Sequence, residues 1–228
     1  MVPLSMQSID TPRRLAIGDI HGKPFWKHYV KENYTAFYFT GDYFDSHNPS
    51  AGFREQYKNF LEICKAARAD ERIKLCLGNH DYHYLNGVTD NYSGFQESRY
   101  EKINMILEKN IGLLKVVYDA GDNYIVSHAG ITKTFLASIS ASNPEEINGA
   151  FLKDRGILAF NGEDMYGDNV TQSPIWVRPR SLKADPLEGC NQIVGHTPFK
   201  RILETEINGN KNKIVFIDTG DAESIYRF

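Results

Sequence analysis

The stretch Arg14-Leu15-Ala16-Ile17-Gly18-Asp19-Ile20-His21-Gly22 decides the fold. A short apolar run of strand length stops at a glycine, and a carboxylate, an imidazole and a second glycine follow. Asp19 and His21 are two apart, so an extended chain points both to the same side. Gly22 lets the chain turn sharply at once. The same punctuation returns along the chain. Residues 35–40 (Thr-Ala-Phe-Tyr-Phe-Thr) run into Gly41-Asp42-Tyr43-Phe44-Asp45, and Arg72 to Leu77 into Gly78-Asn79-His80-Asp81. Asn123 to Val126 leads to Ser127-His128-Ala129-Gly130, and a strand near 191–194 leads to Gly195-His196-Thr197-Pro198. A parallel sheet sets the ends of its strands side by side, so these clusters converge on one rim.

Helical patterns lie between the early strands. Pro24 to Lys31 opens on a proline suited to a first helical turn. Ala51 to Ala69 carries Phe53, Tyr57, Phe60, Leu61 and Cys64 on one face, and Phe95 to Lys109 buries Ile103, Ile106 and Leu107. Leu114 to Tyr118 and Asn123 to Val126 read as a hairpin turning at Asp119-Ala120-Gly121-Asp122. A less regular helical stretch occupies 132–153, and 161–174 is loop-rich. Strands near 191–194, 200–207, 213–218 and 223–227 close the chain, with a hairpin turn at Asn208-Gly209-Asn210. Alternation early and strands late predict an α/β fold of two packed mixed β-sheets flanked by helices. No Pro/Gly/Ser linker divides residues 1–228, so a single domain is expected. Residues 1–12 form a loose lead-in, and residues 132–174 are the expected specificity region.

Composition sets the bounds. A chain of 228 residues with 41% hydrophobic and 24% charged residues has the make-up of an ordinary globular protein. A net charge of -3 gives no broad reason to bind a nucleic-acid backbone. No apolar run has the length of a membrane span, and Met1 to Arg14 has no apolar core of the signal-peptide type. Cys64, Cys76 and Cys190 have no metal-ligand spacing. Buried free thiols in a reducing compartment are expected, hence a cytoplasmic protein.

Four of the seven histidines fall in the clusters, as scattered core histidines would not. Asp19, His21, Asp42, Asn79, His128 and His196 offer oxygen and nitrogen donors without thiolate, a set suited to manganese, iron, zinc or similar ions. Two divalent ions with Asp42 between them would leave a residual charge of about +2 after both carboxylates are counted. That charge attracts phosphate and lowers the pKa of a bridging water from about 15.7 toward neutrality. The implied chemistry is attack of a metal-bridging hydroxide on phosphorus.

These five motifs, in this order, resemble the calcineurin-like metallophosphoesterase superfamily across about residues 14–220. Gly18 to Gly22 and Gly41 to Asp45 are most similar to its phosphoprotein phosphatase branch, which includes phage-type serine/threonine phosphatases. The missing second histidine after Thr197 points the same way. The resemblance implies an αββα sandwich, and a first metal held by Asp19, His21 and Asp42. It implies a second held by Asp42, Asn79, His128 and His196. It implies His80 as the acid protonating the leaving group, oriented by Asp45. Manganese, iron, zinc or nickel are the implied ions. The branch carries arginine after the aspartate matching Asp45 and before the glycine matching Gly78; here Ser46 and Leu77 stand there. Arg178 or Arg180, after Pro174-Ile175-Trp176, or His47, are candidates to supply the phosphate contact.

The expected function is metal-dependent hydrolysis of phosphomonoesters, of the protein serine/threonine phosphatase type. Dinucleoside polyphosphate or nucleotide hydrolysis is the alternative within the class. A metal-retaining scaffold with little turnover is the alternative outside it. The expected partner is a phosphorylated substrate, with no membrane and no nucleic acid. His28 reads as structural or solvated, and Asp218 as structural. His83, between two tyrosines, is read as packing, with a substrate rim as the other reading.

Overall fold

The computed structural model describes residues 13–48, 51–162, 166–207, 212–220 and 223–228. The lead-in at 1–12 and the turn Asn208-Gly209-Asn210 lie outside these residues. The elements are β1 (Arg14–Ile17), α1 (Trp26–Tyr29), β2 (Ala36–Phe39), α2 (Phe53–Ala69), β3 (Ile73–Cys76), α3 (Asn79–Tyr82), α4 (Tyr100–Asn110), β4 (Leu114–Lys115), β5 (Val117–Gly121) and β6 (Tyr124–Ser127). They continue through α5 (Lys133–Ser138), α6 (Glu146–Lys153), α7 (Pro179–Ala184), β7 (Asn191–Val194), β8 (Leu203–Glu206), β9 (Lys213–Phe216) and β10 (Ile225–Arg227).

One mixed sheet runs β10-β1-β2-β3-β4 and the other β5-β6-β7-β9-β8. Within them β1, β2, β3 and β4 are parallel, as are β6, β7 and β9. The expected two-sheet α/β architecture is therefore observed. Side-chain alternation explains how the layers pack. Leu15, Ile17, Phe37, Phe39 and Leu75 bury against Phe60, Ile63, Ile103, Ile106 and Leu107 of the helices. Their neighbours Ala16, Ala36, Tyr38 and Cys76 face Val126, Ile193 and Val215 of the second sheet. Small residues on that inner face let the sheets approach. The outer face of the second sheet, with Val194, Ile214 and Phe216, packs on Val177 and Leu182.

Several boundaries differ from expectation. The run from Leu114 does not form one hairpin arm. β4 pairs with β3 in the first sheet, whereas β5 pairs with β6 in the second. Asn148 Oδ1 accepts the amides of Val116 and Val117 at this crossing, at 2.8 and 3.2 Å, replacing ladder bonds. The hairpin turn falls at Asp122-Asn123, not at Asp119 to Asp122, because both residues sit at positive φ (49° and 61°). Asp and Asn tolerate that left-handed conformation, which matches the twist of a tight hairpin. Leu61 is 45% exposed rather than part of the α2 core stripe; Ile63 is buried instead. The helix expected from Phe95 begins at Tyr100, after a 3₁₀ turn at Glu97–Arg99. The stretch 132–153 breaks into α5 and α6. Helix α7 was not anticipated: six residues are too few for a periodic signal, although Pro179 opens it as a first-turn proline. Cys64 and Cys76 are buried free thiols, and Cys190 is half-buried. No helix among the described residues is long and apolar enough to cross a membrane.

The fully buried Phe60 packs its ring 5.0 Å from Tyr43 and 5.3 Å from Phe44, the two aromatics between Asp42 and Asp45. Phe60→Ala should cost about 3–5 kcal/mol in urea unfolding. Because the cavity lies under that loop, it should also weaken divalent-ion binding. Full stability in the variant would show that the loop does not lean on α2.

Candidate active site

Six strand ends meet at one edge. β1, β2 and β3 lead into Asp19, Asp42 and Asn79, and β6, β7 and β9 into His128, His196 and Asp218. Ligands in open α/β sheets bind beyond the carboxyl ends of the strands, and this is such an edge. The two sheets are stitched here by the His196 amide, which donates to Asp19 Oδ2 at 2.9 Å, while Gly195 N–H donates to the His128 carbonyl at 2.8 Å and extends the β6–β7 pairing. The approach leaves no room for side chains: a Cβ on Gly195 would lie 2.0 Å from Asp19 Oδ1, and one on Gly78 2.1 Å from Asp42 Oδ1.

The backbone is strained where the donors sit. His21, Asp42, Asp45 and His196 all take positive φ (41°, 53°, 56° and 65°). Each such non-glycine residue costs on the order of 1–3 kcal/mol, which the surrounding hydrogen bonds must hold in place. Asp81 is the main brace. Its buried carboxylate accepts the amides of Asp42 (2.9 Å), Tyr43 (2.8 Å) and Gly78 (3.0 Å), tying two strand ends together. On the α2 side, Asn59 accepts from Trp26 Nε1 at 2.9 Å and donates to the Lys23 carbonyl at 3.1 Å.

The donor chemistry tests whether cations fit. His128 Nδ1 lies 2.9 Å from the Thr40 carbonyl, so it carries the ring proton and leaves Nε2 as a lone pair. That lone pair faces Asn79 Oδ1 at 2.8 Å and His196 Nδ1 at 3.1 Å, and His196 Nδ1 is 3.0 Å from the same Asn79 oxygen. Asp42 Oδ2 is 3.5 Å from His128 Nε2. His21 repeats the pattern: Nδ1 donates to the Phe44 carbonyl at 2.7 Å, leaving the Nε2 lone pair 3.7 Å from Asp42 Oδ2. Ligand atoms of Asp19, His21 and Asp42 lie within 4.8 Å of one another. Acceptors crowded against acceptors repel unless a cation lies between them, so these residues fit divalent ions.

The electrostatics agree. Burial, helped by nearby His80, drops His21 to about 3; burial also drops His128 to about 3 and His196 well below its usual range. All three are neutral at ordinary pH and free to act as nitrogen donors. Burial pushes Asp19 up to about 6, and burial with repulsion from Asp19 and Asp81 pushes Asp42 well up. Two buried carboxylates without counter-charge hold protons that a cation would displace.

A second His/Asp group, Asp45 with His80 and His83, is equally compact. Its contacts are of another kind. Asp45 Oδ2 lies 2.6 Å from His83 Nε2 and 3.2 Å from His80 Nδ1, while Oδ1 accepts from Tyr84 Oη at 2.6 Å and Gln96 Nε2 at 3.1 Å. Burial pushes Asp45 up, but the bonds from His80, His83 and Tyr84 outweigh it and bring it to about 2. Donors surround this carboxylate, so protons already satisfy it.

The cavity over these groups measures about 350 Å³. Lys23, His47, Tyr92, Trp176 and Arg178 line it together with the donors. Arg178 reaches it with Nη1 3.3 Å from Thr197 Oγ1 and Nε donating to the Tyr166 carbonyl at 2.8 Å. Arg180 is exposed and does not line the cavity, because two residues further into α7 its direction has turned away. Of the described residues in 132–174, none lines the cavity; Phe135, Ile147, Phe151 and Leu158 from that region pack into the core. His83 is buried rather than on a rim. The sequence marks no role for Asp81, Thr40, Tyr84, Gln96 or Lys23; Asp81 lies inside a donor cluster, and nothing local distinguishes the others.

The profile of the calcineurin-like phosphoesterase family matches residues 12–208, so the chain belongs to that family. It is a metal-dependent hydrolase of phosphate esters. Among solved structures, it is similar to a serine/threonine phosphatase from Saccharomyces cerevisiae described as similar to human phosphatase PP5. That match has 19% identity and TM-score 0.49, over 91% of this chain and 68% of the other. It is also similar to a metallophosphoesterase from Sphaerobacter thermophilus, with 12% identity and TM-score 0.38, over 94% of this chain and 83% of the other. No curated protein matches the chain significantly.

Asp19 rises from 3.8 to about 6 on folding, so the folded chain binds this proton more tightly than the unfolded chain. The stability it adds is complete at low pH and is lost as pH climbs through about 6. Chelator-treated protein should therefore melt lower at about pH 7 than at about pH 5 if this group dominates. Added manganese should raise the melting temperature more at the higher pH, since it competes with that proton. A larger manganese effect at the lower pH would rule out these carboxylates as its ligands.

Proposed function

We propose that this enzyme hydrolyses phosphomonoesters, of the protein serine/threonine phosphatase kind, using two divalent ions. The observation that carries the reading is the crowding of Asn79 Oδ1, the His128 Nε2 lone pair and His196 Nδ1 within 3.1 Å, beside Asp19, His21 and Asp42. Asp19, His21 and Asp42 would hold the first ion, and Asp42, Asn79, His128 and His196 the second. Such ions, when bound, acidify a water and draw charge from the phosphoryl oxygens.

The chain's own groups do the rest. Arg178 faces the cavity with a guanidinium fork suited to phosphoryl oxygens, and Lys23 and His47 add cationic or hydrogen-bonding contacts from the other strand ends. They stand in for the arginine absent at Ser46. His80 is held at backbone and ring: its backbone amide donates to Asp42 Oδ1 at 2.9 Å, and its ring Nδ1 faces Asp45 Oδ2. Nε2 is then left to deliver a proton to the leaving oxygen as the P–O bond breaks. A cavity of about 350 Å³ is at the small end for ligand sites. That size favours a phosphorylated side chain or a small monoester over a whole dinucleoside polyphosphate.

Manganese-loaded protein should turn over p-nitrophenyl phosphate and phosphopeptides faster than cyclic nucleotides or dinucleoside polyphosphates. Preference for the last would replace the substrate reading, and no turnover of any ester would favour a metal-retaining scaffold. His80→Ala should keep its metal and lose about 10²–10⁴-fold in kcat on alkyl monoesters, with less loss on p-nitrophenyl phosphate. Equal losses on both would remove His80 as the acid.

A further inference from the structure

His83 follows α3 and is buried in an aromatic cage. Its ring lies 4.4 Å from Tyr84, 5.0 Å from Phe95, and 5.1 Å from Tyr92, on which it stacks. Packing alone would be satisfied by any flat ring. The polar contacts add something else. The Tyr92 amide donates to His83 Nδ1 at 3.3 Å, so the ring proton is on Nε2. Nε2 lies 2.6 Å from Asp45 Oδ2, the same oxygen that faces His80 Nδ1 at 3.2 Å. The neutral ring is therefore a fixed donor to the carboxylate that orients the proposed acid.

We propose that His83 is a positioning residue for leaving-group protonation: its Nε2–H holds Asp45 Oδ2 aimed at His80, and the Tyr92 amide holds His83. This rests on the reading of His80 as the proton donor. With only the two bonds on Oδ1, from Tyr84 and Gln96, the carboxylate would be free to pivot about that oxygen and carry Oδ2 away from His80. The loop bearing Tyr92 also forms the cavity wall, and Tyr92 packs its ring 4.3 Å from Trp176. His83 thus links the Tyr92 wall of the cavity to the carboxylate that faces His80.

Two substitutions separate donor from filler. His83→Phe keeps a ring for the cage and removes the donor; His83→Gln keeps an N–H donor at similar reach and removes the ring. Manganese-loaded His83→Phe should keep its metal and KM. It should lose kcat on the order of 10-fold on alkyl phosphates, and less on p-nitrophenyl phosphate. His83→Gln should restore the wild-type ratio of the two rates even if it melts lower. A wild-type ratio in His83→Phe, or a ratio in His83→Gln as disturbed as in His83→Phe, overturns the proposal. Ring ¹⁵N spectra of the purified protein should show His83 as the neutral Nε2–H tautomer, and an Nδ1–H form overturns it as well. His80→Ala is the control. If it shifts the ratio and His83→Phe does not, only the role of His83 falls. If His80→Ala leaves the ratio alone, the acid reading fails and this proposal with it.

Discussion

One acceptor forced against another, Asn79 Oδ1 against the His128 Nε2 lone pair, organises this molecule. Asn79 Oδ1, His128 Nε2 and His196 Nδ1 approach within 3.1 Å, and the Thr40 carbonyl keeps the His128 proton on the far side of its ring. Nearby, Asp19 and Asp42 are buried carboxylates whose protons are held by burial, reinforced at Asp42 by repulsion from Asp19 and Asp81. A fold that brings such groups together without counter-charge is destabilised by them. The same fold with cations between them is stabilised, so folding and metal binding are coupled. The strained backbone at His21, Asp42 and His196 follows from this arrangement. Side chains that must aim at one point cannot all leave their strands in relaxed conformations.

The groups around the donors decide the chemistry as much as the donors do. Backbone carbonyls of Thr40 and Phe44 fix the tautomers of His128 and His21. Asp81 spends its carboxylate on three amides, and burial still raises it to about 7. Asp45, equally sequestered, falls to about 2 because its donors are side chains that include two imidazoles. Two buried aspartates a few residues from the same site thus have opposite surroundings, one accepting backbone amides at turns and one accepting side-chain donors that include His80 and His83. The contrast lies in their partners and not in their burial.

The cationic side of the site comes from separate segments. Positive groups come from Lys23, directly after the first motif, and from Arg178, just before α7. Lys23 follows β1 of the first sheet, and Arg178 caps α7, whose Leu182 packs on the outer face of the second sheet.

Much of the fold and most of the donor set were legible in the chain itself. Each donor cluster follows a short apolar strand and is marked by glycine, because close approach excludes a Cβ at Gly78 and Gly195. Periodicity over α2 and α4 is long enough to read. What failed in sequence failed for lack of local signal. Leu61 reads as core by spacing, yet the neighbouring layer covers Ile63 instead. Nothing in Leu114 to Tyr118 announces that the chain changes sheets at Val116, since the compensating acceptor is Asn148, far along the chain. The choice of Arg178 over Arg180, the burial of His83 against Asp45 and the cavity wall at Tyr92 likewise depend on packing between distant segments. Sequence determines which chemical groups are available and at which strand ends they emerge. Only the tertiary structure decides which of them share a point in space, because that depends on how two independently patterned sheets are pressed together.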